Sequence, residues 1–179
     1  LVEMLGRFFL ILFNLLFSFN LFCQKSNFEK AGDIIQIALP SSAFASQIFL
    51  NKVDSEAITF IKSMSASFVV THTIKRVVNK ERPNGGDFSF PSGHTSAAFT
   101  GAAFIDYKFG LKYGLPAYIL ASFVGWSRVY AKKHDYIDVL GGIIVGVGCV
   151  ELFTSKTKNY SFNFTYNSQP NIVFNLFLN

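Results

Sequence analysis

The amino-acid sequence predicts an all-α fold, an antiparallel bundle of about five to six mostly membrane-embedded helices, with a short C-terminal β-hairpin as an optional addition. Half of the 179 residues are hydrophobic, 22 are Phe and only 15% are charged, whereas a typical soluble domain has about 25% charged residues. Apolar runs alternate with short charged segments, as expected of helices joined by short loops. The length is that of a single domain.

The first three apolar runs are the longest. Residues 5–22 contain one charge, Arg7, and are typical of a signal peptide or a first membrane helix. A retained anchor is favoured because no small-residue cleavage site follows, and we expect residues 1–23 to form this anchor or signal segment. The runs at 34–51 and 57–74 are each long enough to span a hydrocarbon core.

The later apolar runs are shorter and admit two interpretations. They cover residues 95–105, 113–127 and 139–150. Runs of this length form buried core helices as readily as membrane spans. The last one contains Gly142 and Gly146, a spacing that weakly favours close helix packing. We expect the helical bundle to occupy residues 24–156.

The C-terminal residues follow a different pattern. In 160–166 and 171–179, apolar and polar residues alternate around the turn-like segment 167–170. Such alternation is typical of a β-hairpin. We therefore expect residues 157–179 to form a tail, hairpin-like in structure, that takes no part in the chemistry.

Helix parity predicts that two polar loops meet. One loop, between the third and fourth runs, covers residues 75–92, and the other, between the fifth and sixth, covers residues 127–138. In an antiparallel bundle, two chain reversals separate these loops. Both loops should therefore emerge at the same end of the bundle, which we call the mouth.

The mouth is predicted to bind an anion. Lys75, Arg82 and Arg128 are fixed cations in its loops, and Arg presents a fork of donors that matches phosphate oxygens. Ser92 and Gly93 directly precede an apolar helix. A serine there can cap the helix, while free backbone N–H groups at the helix start face an anion.

Two histidines supply candidate chemistry. His134 and Asp138 are four residues apart at a helix start, so the carboxylate can hold the imidazole in one tautomer. His94 lies at a helix N-terminus and has no carboxylate at helical spacing before it. Taken singly, these motifs have ordinary explanations as a helix cap, a surface ion pair or a cytoplasmic charge cluster. Together they suit phosphoryl transfer through a histidine nucleophile.

Other classes of site are disfavoured. We expect no metal and no cofactor, because zinc-ligand spacing is absent and the surrounding cations would repel a metal ion. Nucleic acid is disfavoured despite the net charge of +5, because the aromatic residues lie in apolar runs. Cys23 and Cys149 fit neither a disulfide framework nor a metal knuckle.

The combined motifs resemble a known family. They are Lys75-x6-Arg82-Pro83, Pro91-Ser92-Gly93-His94 and Ser127-Arg128-x5-His134-x3-Asp138. This set resembles the three-part signature of the type 2 phosphatidic acid phosphatase superfamily, and the likeness runs from about Gly32 to Glu151. The resemblance implies a helical bundle and a metal-independent phosphatase that works through a phosphohistidine.

The resemblance also implies residue roles. His134 attacks phosphorus, Asp138 orients it and His94 protonates the leaving group. The phosphoryl oxygens are held by Lys75, Arg82, Ser92, Gly93 and Arg128. The chain departs from the family pattern in its tail and in lacking a large insertion between helices, which puts in doubt any substrate selectivity that depends on one.

The implied substrate is a membrane lipid phosphate: a phospholipid, an isoprenoid (pyro)phosphate or a lipid A phosphate. The balance of Lys and Arg does not fix the orientation of the chain in a membrane. The family likeness suggests the bacterial inner membrane, with the mouth facing the periplasm. A secreted or peripheral acid phosphatase remains an alternative, as does a non-catalytic binder of anionic headgroups, although headgroup binding needs only cations. A vanadium-dependent peroxidase ranks lower in so short and apolar a chain.

Overall fold

The computed structural model describes residues 25–49, 55–154, 164–167 and 169–172, and these are predominantly helical. Five helices lie in these ranges: α1 (Lys25–Phe49), α2 (Ser55–Val78), α3 (Gly93–Phe109), α4 (Leu111–Tyr130) and α5 (Tyr136–Phe153). Two strands, β1 (Phe164–Asn167) and β2 (Gln169–Ile172), pair antiparallel. The predicted helical bundle is confirmed, whereas the predicted segment 1–23 lies outside the described residues. The two strands lie in the predicted tail, but β2 begins at Gln169, inside the segment 167–170 predicted as the turn.

Helix α3 is the centre of the bundle and packs against each of the other four described helices. Its Ala98 and Ala102 side chains are fully buried, and their small size lets the neighbouring helices approach closely. Phe104 is also fully buried, and its ring centroid lies 4.9 Å from that of Phe60 on α2 in an edge-to-face arrangement. The core therefore lies around α3, and α3 begins at the mouth.

The seam between α3 and α5 depends on the two glycines noted in the sequence. A Cβ at Gly142 would lie 2.6 Å from the carbonyl oxygen of Ser92, and one at Gly146 would lie 2.6 Å from that of Ser96. Real Cβ atoms do not approach an oxygen so closely, so both positions require glycine. The close seam lets the Ser92 N–H donate to the carbonyl of Asp138 at 2.8 Å.

The outer surface of the bundle is apolar. Large hydrophobic side chains on α1, α2, α4 and α5 are more than half exposed, including Ile37, Phe68, Ile119 and Ile144. Among the described helices, α5 is the one long and apolar enough to cross a membrane by length and composition. Its apolar run, which looked short in the sequence, is extended at both ends to the full helix.

The apolar runs in α1 and α2, which were expected to span the membrane, do not meet the same criterion of length and composition. These helices carry many hydroxyl and amide side chains, several of which are buried. On α2, the hydroxyls of Ser67 and Thr71 form hydrogen bonds to α3. The Thr71 hydroxyl donates to the Ser96 hydroxyl, and the Ser67 hydroxyl accepts from the Thr100 hydroxyl; each hydrogen bond is 3.0 Å long. Polar side chains that join the helices therefore lower the mean hydropathy of α2.

Candidate active site

The two predicted loops meet at one end of the bundle. Ser89, in the loop after α2, is fully buried, and its hydroxyl donates to Asp138 Oδ2 at the start of α5. The same hydroxyl lies 3.4 Å from His134 Nδ1. The contact joins residues that are far apart in the sequence, as the helix parity predicted. Ser89 itself was not singled out in the sequence, because an isolated serine in a loop carries no pattern.

His134 lies in the short loop between α4 and α5 and is only 4% exposed. Its Nδ1 is 3.4 Å from Asp138 Oδ2, and its backbone N–H donates to the carbonyl of Arg128 at 3.3 Å. Burial, followed by the charges of Lys75 and Arg82, lowers the pKa of His134 to about 4. The imidazole is therefore neutral at neutral pH, and its Nε2 is the nitrogen turned away from the carboxylate.

Asp138 is fully buried and is held by several donors. Lys80 Nζ lies 2.8 Å from its Oδ1, and the Asp135 backbone N–H lies 3.0 Å from its Oδ2. Asp138 and Asp135 also form a reciprocal capping box at the start of α5. These contacts fix the carboxylate that faces His134. Lys80 was not distinguished in the sequence from the neighbouring cations, since only its contacts set it apart.

The cation from α2 reaches across the mouth. Lys75 is 9% exposed, and its Nζ donates to the carbonyls of Phe88 at 2.8 Å and Ser89 at 3.2 Å. Lys75 also lies beside the start of α3, because a Cβ on Gly93 would be 3.8 Å from its Cε. Arg82 Nε donates to the Asp87 carbonyl at 3.0 Å, so both cations are tied to the loop that covers the site.

The start of α3 has the predicted capping geometry. Ser92 is the N-cap, and its hydroxyl accepts a hydrogen bond from the Thr95 backbone N–H at 3.4 Å. Ser92 is fully buried, and Gly93 is the first helical residue. The first N–H groups of a helix lack partners within the helix, so this end of α3 favours an anion.

His94 has a carboxylate partner that the sequence did not reveal. Its Nε2 lies 3.0 Å from Asp33 Oδ1, and the same oxygen is 2.6 Å from Arg128 Nη1. Asp33 belongs to α1, far from both partners in the sequence. Glu29 and Asp33 are four residues apart and hence on one helix face, a signal that marks a charged face on α1 without naming its partners.

Arg128 is fully buried and turned toward α1. Its Nη2 donates to the Glu29 carbonyl at 2.6 Å, and its Nε donates to the Ser127 hydroxyl at 3.1 Å. Close approach of α1 depends on Gly32, where a Cβ would lie 2.6 Å from Arg128 Nη2. The eight predicted residues thus form two linked clusters, one around His134 and one around His94.

A groove runs from the site along the outside of the bundle. It lies between α2 and α3 and is shallow, with a volume of about 40 Å³. Its lining residues are Met64, Ser67, Phe68, Thr71, His72, Gly93, Ser96 and Ala97. The groove therefore begins at the first residue of α3, the helix end that favours an anion, and continues along an exposed apolar surface that includes Phe68.

Several curated proteins share sequence with the chain. A lipid A 1-phosphatase of Helicobacter pylori is 36% identical over 102 residues, covering 52% of this chain and 54% of that protein. A lipid A 4'-phosphatase of the same species is 41% identical over 68 residues, covering 38% and 34%. Undecaprenyl-diphosphatase BcrC of Bacillus subtilis is 32% identical over 78 residues, covering 44% and 38%. The chain spans about half the length of the first of these relatives, and less of the other two.

A solved structure with a similar fold and a family sequence model agree with these sequence relatives. The crystal structure of Aquifex aeolicus LpxE superposes with a TM-score of 0.64 at 22% identity, covering 80% of this chain and 93% of that one. The sequence model of the PAP2 superfamily matches residues 56–161, more than half of the chain. Helix α5 and the apolar outer surface fit a protein embedded in a membrane. Because the family's sequence model matches more than half of the chain, the chain belongs to the PAP2 superfamily.

Proposed function

We propose that the chain is a metal-independent phosphatase that hydrolyses a phosphomonoester or pyrophosphate of a membrane lipid through a phosphohistidine at His134. The observation that carries the proposal is the buried, neutral His134 imidazole, which faces Asp138 among fixed cations. A neutral imidazole is a nucleophile at neutral pH, whereas an imidazolium is not.

The first step is attack on phosphorus. Because Nδ1 of His134 faces Asp138 and Ser89, the lone pair available for attack is that of Nε2. A P–N bond forms as the bond from phosphorus to the leaving oxygen breaks. The imidazole becomes positively charged on bonding, and the Asp138 carboxylate stabilises this charge.

Fixed positive charge stabilises the transferring phosphoryl group. Lys75, Arg82 and Arg128 supply side-chain cations, and the start of α3 at Ser92 and Gly93 supplies backbone N–H groups. Phosphoryl transfer depends mainly on positioning and on electrostatic stabilisation of the three equatorial oxygens. Cations held by loop carbonyls and buried contacts provide such stabilisation without the reorganisation that water would need.

His94 completes the proton transfers. It gives a proton to the leaving oxygen as the ester bond breaks, and it becomes neutral. In the second step it takes a proton from a water molecule, whose oxygen attacks phosphorus and breaks the P–N bond. His134 then returns to its neutral form, His94 is protonated again, and inorganic phosphate is released.

The groove favours a lipid as the substrate over a small soluble ester. A phosphate bound at the start of α3 would have its organic part at the head of the groove beside Gly93. The sequence relatives include lipid A phosphatases and an undecaprenyl-diphosphatase, which supports a lipid phosphate or diphosphate. We place the protein in a bacterial inner membrane with the mouth toward the periplasm.

The proposal is tested by phosphate release from a panel of lipid phosphates. The detergent-purified protein is expected to hydrolyse at least one phospholipid, isoprenoid or lipid A phosphate, and the rate is expected to be unchanged by excess EDTA. Fixed cations at Lys75, Arg82 and Arg128 stand where a metallophosphatase would use metal ions. Loss of activity on chelation, reversed by adding zinc or magnesium, would contradict the metal-independent mechanism.

Filling the groove is expected to discriminate between lipid and small substrates. Ala97→Phe places a ring in the path of the lipid chain, and a steric mismatch in an apolar substrate pocket is worth roughly 10–200-fold in kcat/KM. The loss should appear with a long-chain lipid phosphate and be absent with p-nitrophenyl phosphate. Val69→Phe is the matched control, because Val69 is exposed on α2 outside the groove. Equal effects of Ala97→Phe on both substrates would exclude the groove as the lipid site.

A further inference from the structure

One oxygen of Asp33 joins two of the predicted site residues. Asp33 Oδ1 lies 2.6 Å from Arg128 Nη1 and 3.0 Å from His94 Nε2. Asp33 is on α1, which precedes the family-matched residues 56–161. This carboxylate contacts the histidine proposed as the proton donor.

We propose that Asp33 is a positioning residue that holds His94 in the orientation and charge state needed to protonate the leaving oxygen. The inference rests on the proposed phosphatase function and adds a residue to it. Asp33 acts through His94, so its contribution should depend on how much protonation the leaving group requires.

The charges around His94 explain why a carboxylate is needed. Burial of the ring, followed by the charge of the buried Arg128 guanidinium, lowers the pKa of His94 and disfavours its protonated form. The Asp33 carboxylate contacts both groups and acts in the opposite direction, favouring the imidazolium. With Nε2 turned to Asp33, the proton on Nδ1 is the one that the imidazolium can transfer.

Helix α1 holds Asp33 in place through contacts made by the residues just before it. One turn earlier, the Glu29 carbonyl accepts a hydrogen bond from Arg128 Nη2 at 2.6 Å. Phe28 packs edge-to-face against Trp126 and Tyr130, with ring centroids 5.1 and 5.4 Å away. The carboxylate is therefore presented by a docked helix, which is what precise orientation of a proton donor requires.

The proton balance leaves Asp33 ionised throughout. In the first step the proton moves from His94 to the leaving oxygen as the ester bond breaks, and the Asp33 charge then faces a neutral ring. In the second step His94 takes a proton from water, and Asp33 stabilises the imidazolium that forms. Asp33 neither gives nor receives a proton.

The experiment compares Asp33→Asn with wild type on two substrates that differ in leaving group. With an alkyl lipid phosphate, kcat is expected to fall about 10–100-fold, a part of the ~10²–10⁴-fold contribution of a positioned acid, while KM does not rise. With p-nitrophenyl phosphate, whose leaving group needs little protonation, kcat should fall by less than about 3-fold. Asp33→Glu, which keeps the charge, should restore most of the lost rate.

Two controls separate positioning from a structural effect. Glu29 lies on the same face of α1 as Asp33, and Glu29→Gln removes its ion pair with Lys133. This variant should leave the contrast between substrates unchanged. In a double-mutant cycle, Asp33→Asn should add nothing to His94→Ala on the lipid phosphate, because its effect passes through the missing ring. Thermal unfolding of each variant shows whether the bundle remains folded.

The outcomes distinguish this inference from the function on which it rests. If Asp33→Asn slows both substrates equally, or adds its full effect to His94→Ala, then Asp33 serves only to anchor Arg128 and the inference is wrong. A wild-type protein that releases phosphate from no lipid phosphate overturns the proposed function, and this inference with it. If His94→Ala shows the expected contrast between the two substrates but Asp33→Asn changes neither rate, the inference is wrong and the proposed function stands.

Discussion

Replacing His134 with alanine is expected to abolish phosphate release while the bundle remains folded. The substitution removes the nitrogen proposed to bond to phosphorus, and under the proposed mechanism the remaining cations would bind the phosphate without transferring it. Phosphate release should fall to background with lipid phosphates and with p-nitrophenyl phosphate alike, since attack is required whatever leaves. Wild type, but not the variant, should also yield an acid-labile phosphoprotein when it is quenched during turnover.

A matched control lies in the same loop. Lys132 is exposed and has a positive φ of 56°, a conformation that asparagine tolerates better than most residues. Lys132→Asn should therefore keep both the fold and the activity. Near-wild-type phosphate release by His134→Ala would refute the mechanism, because the mechanism requires His134 Nε2 as the nucleophile.

Replacing His94 with alanine is expected to slow hydrolysis of a lipid or alkyl phosphate by ~10²–10⁴-fold, the usual contribution of a positioned acid. An alkoxide leaves poorly without a proton. A nitrophenolate leaves readily without one, so the same variant should retain much more of its activity on p-nitrophenyl phosphate. The measurement is the ratio of kcat values for the two substrates in wild type and variant.

The opposite pattern would reverse the roles of the two histidines. If His94 proved essential for both substrates while His134 were dispensable for the activated ester, His94 would be the nucleophile. The structure gives each histidine a carboxylate, Asp138 for His134 and Asp33 for His94. The presence of a carboxylate therefore does not by itself separate the roles, and the kinetic contrast is the deciding test.

Much of the fold could be predicted from the sequence because local signals mark the helix ends. Charged segments interrupt the apolar runs, and Ser92 caps α3 as expected. Parity then placed loop 75–92 beside loop 127–138 without knowledge of any contact. The spans expected in α1 and α2 do not meet the criterion for a membrane span. In α2, hydroxyl side chains that join it to α3 lower the mean hydropathy, which cannot distinguish such contacts from exposure to water.

The site contacts that the sequence does not predict are those set by tertiary packing. Asp33 reaches His94 only because α1 lies against α4 at Gly32, and Ser89 reaches Asp138 only because its loop folds inward. Neither residue has a sequence spacing that relates it to its partner. Lys80 was visible as one of several cations, but its contact with Asp138 depends on the same loop. Long-range partners of this kind follow from the assembled bundle.

The glycine seam between α3 and α5 has a consequence for how such a protein can change its substrate. Gly142 meets the Ser92 carbonyl, and Ser92 in turn donates to the Asp138 carbonyl. Any larger side chain in this seam would push the start of α3 away from α5 and so separate Ser92 from Asp138, two residues of the proposed site. Altered lipid preference is therefore expected to arise away from this seam, along the groove lined by Phe68 and Ala97, where side chains can be exchanged without displacing either histidine.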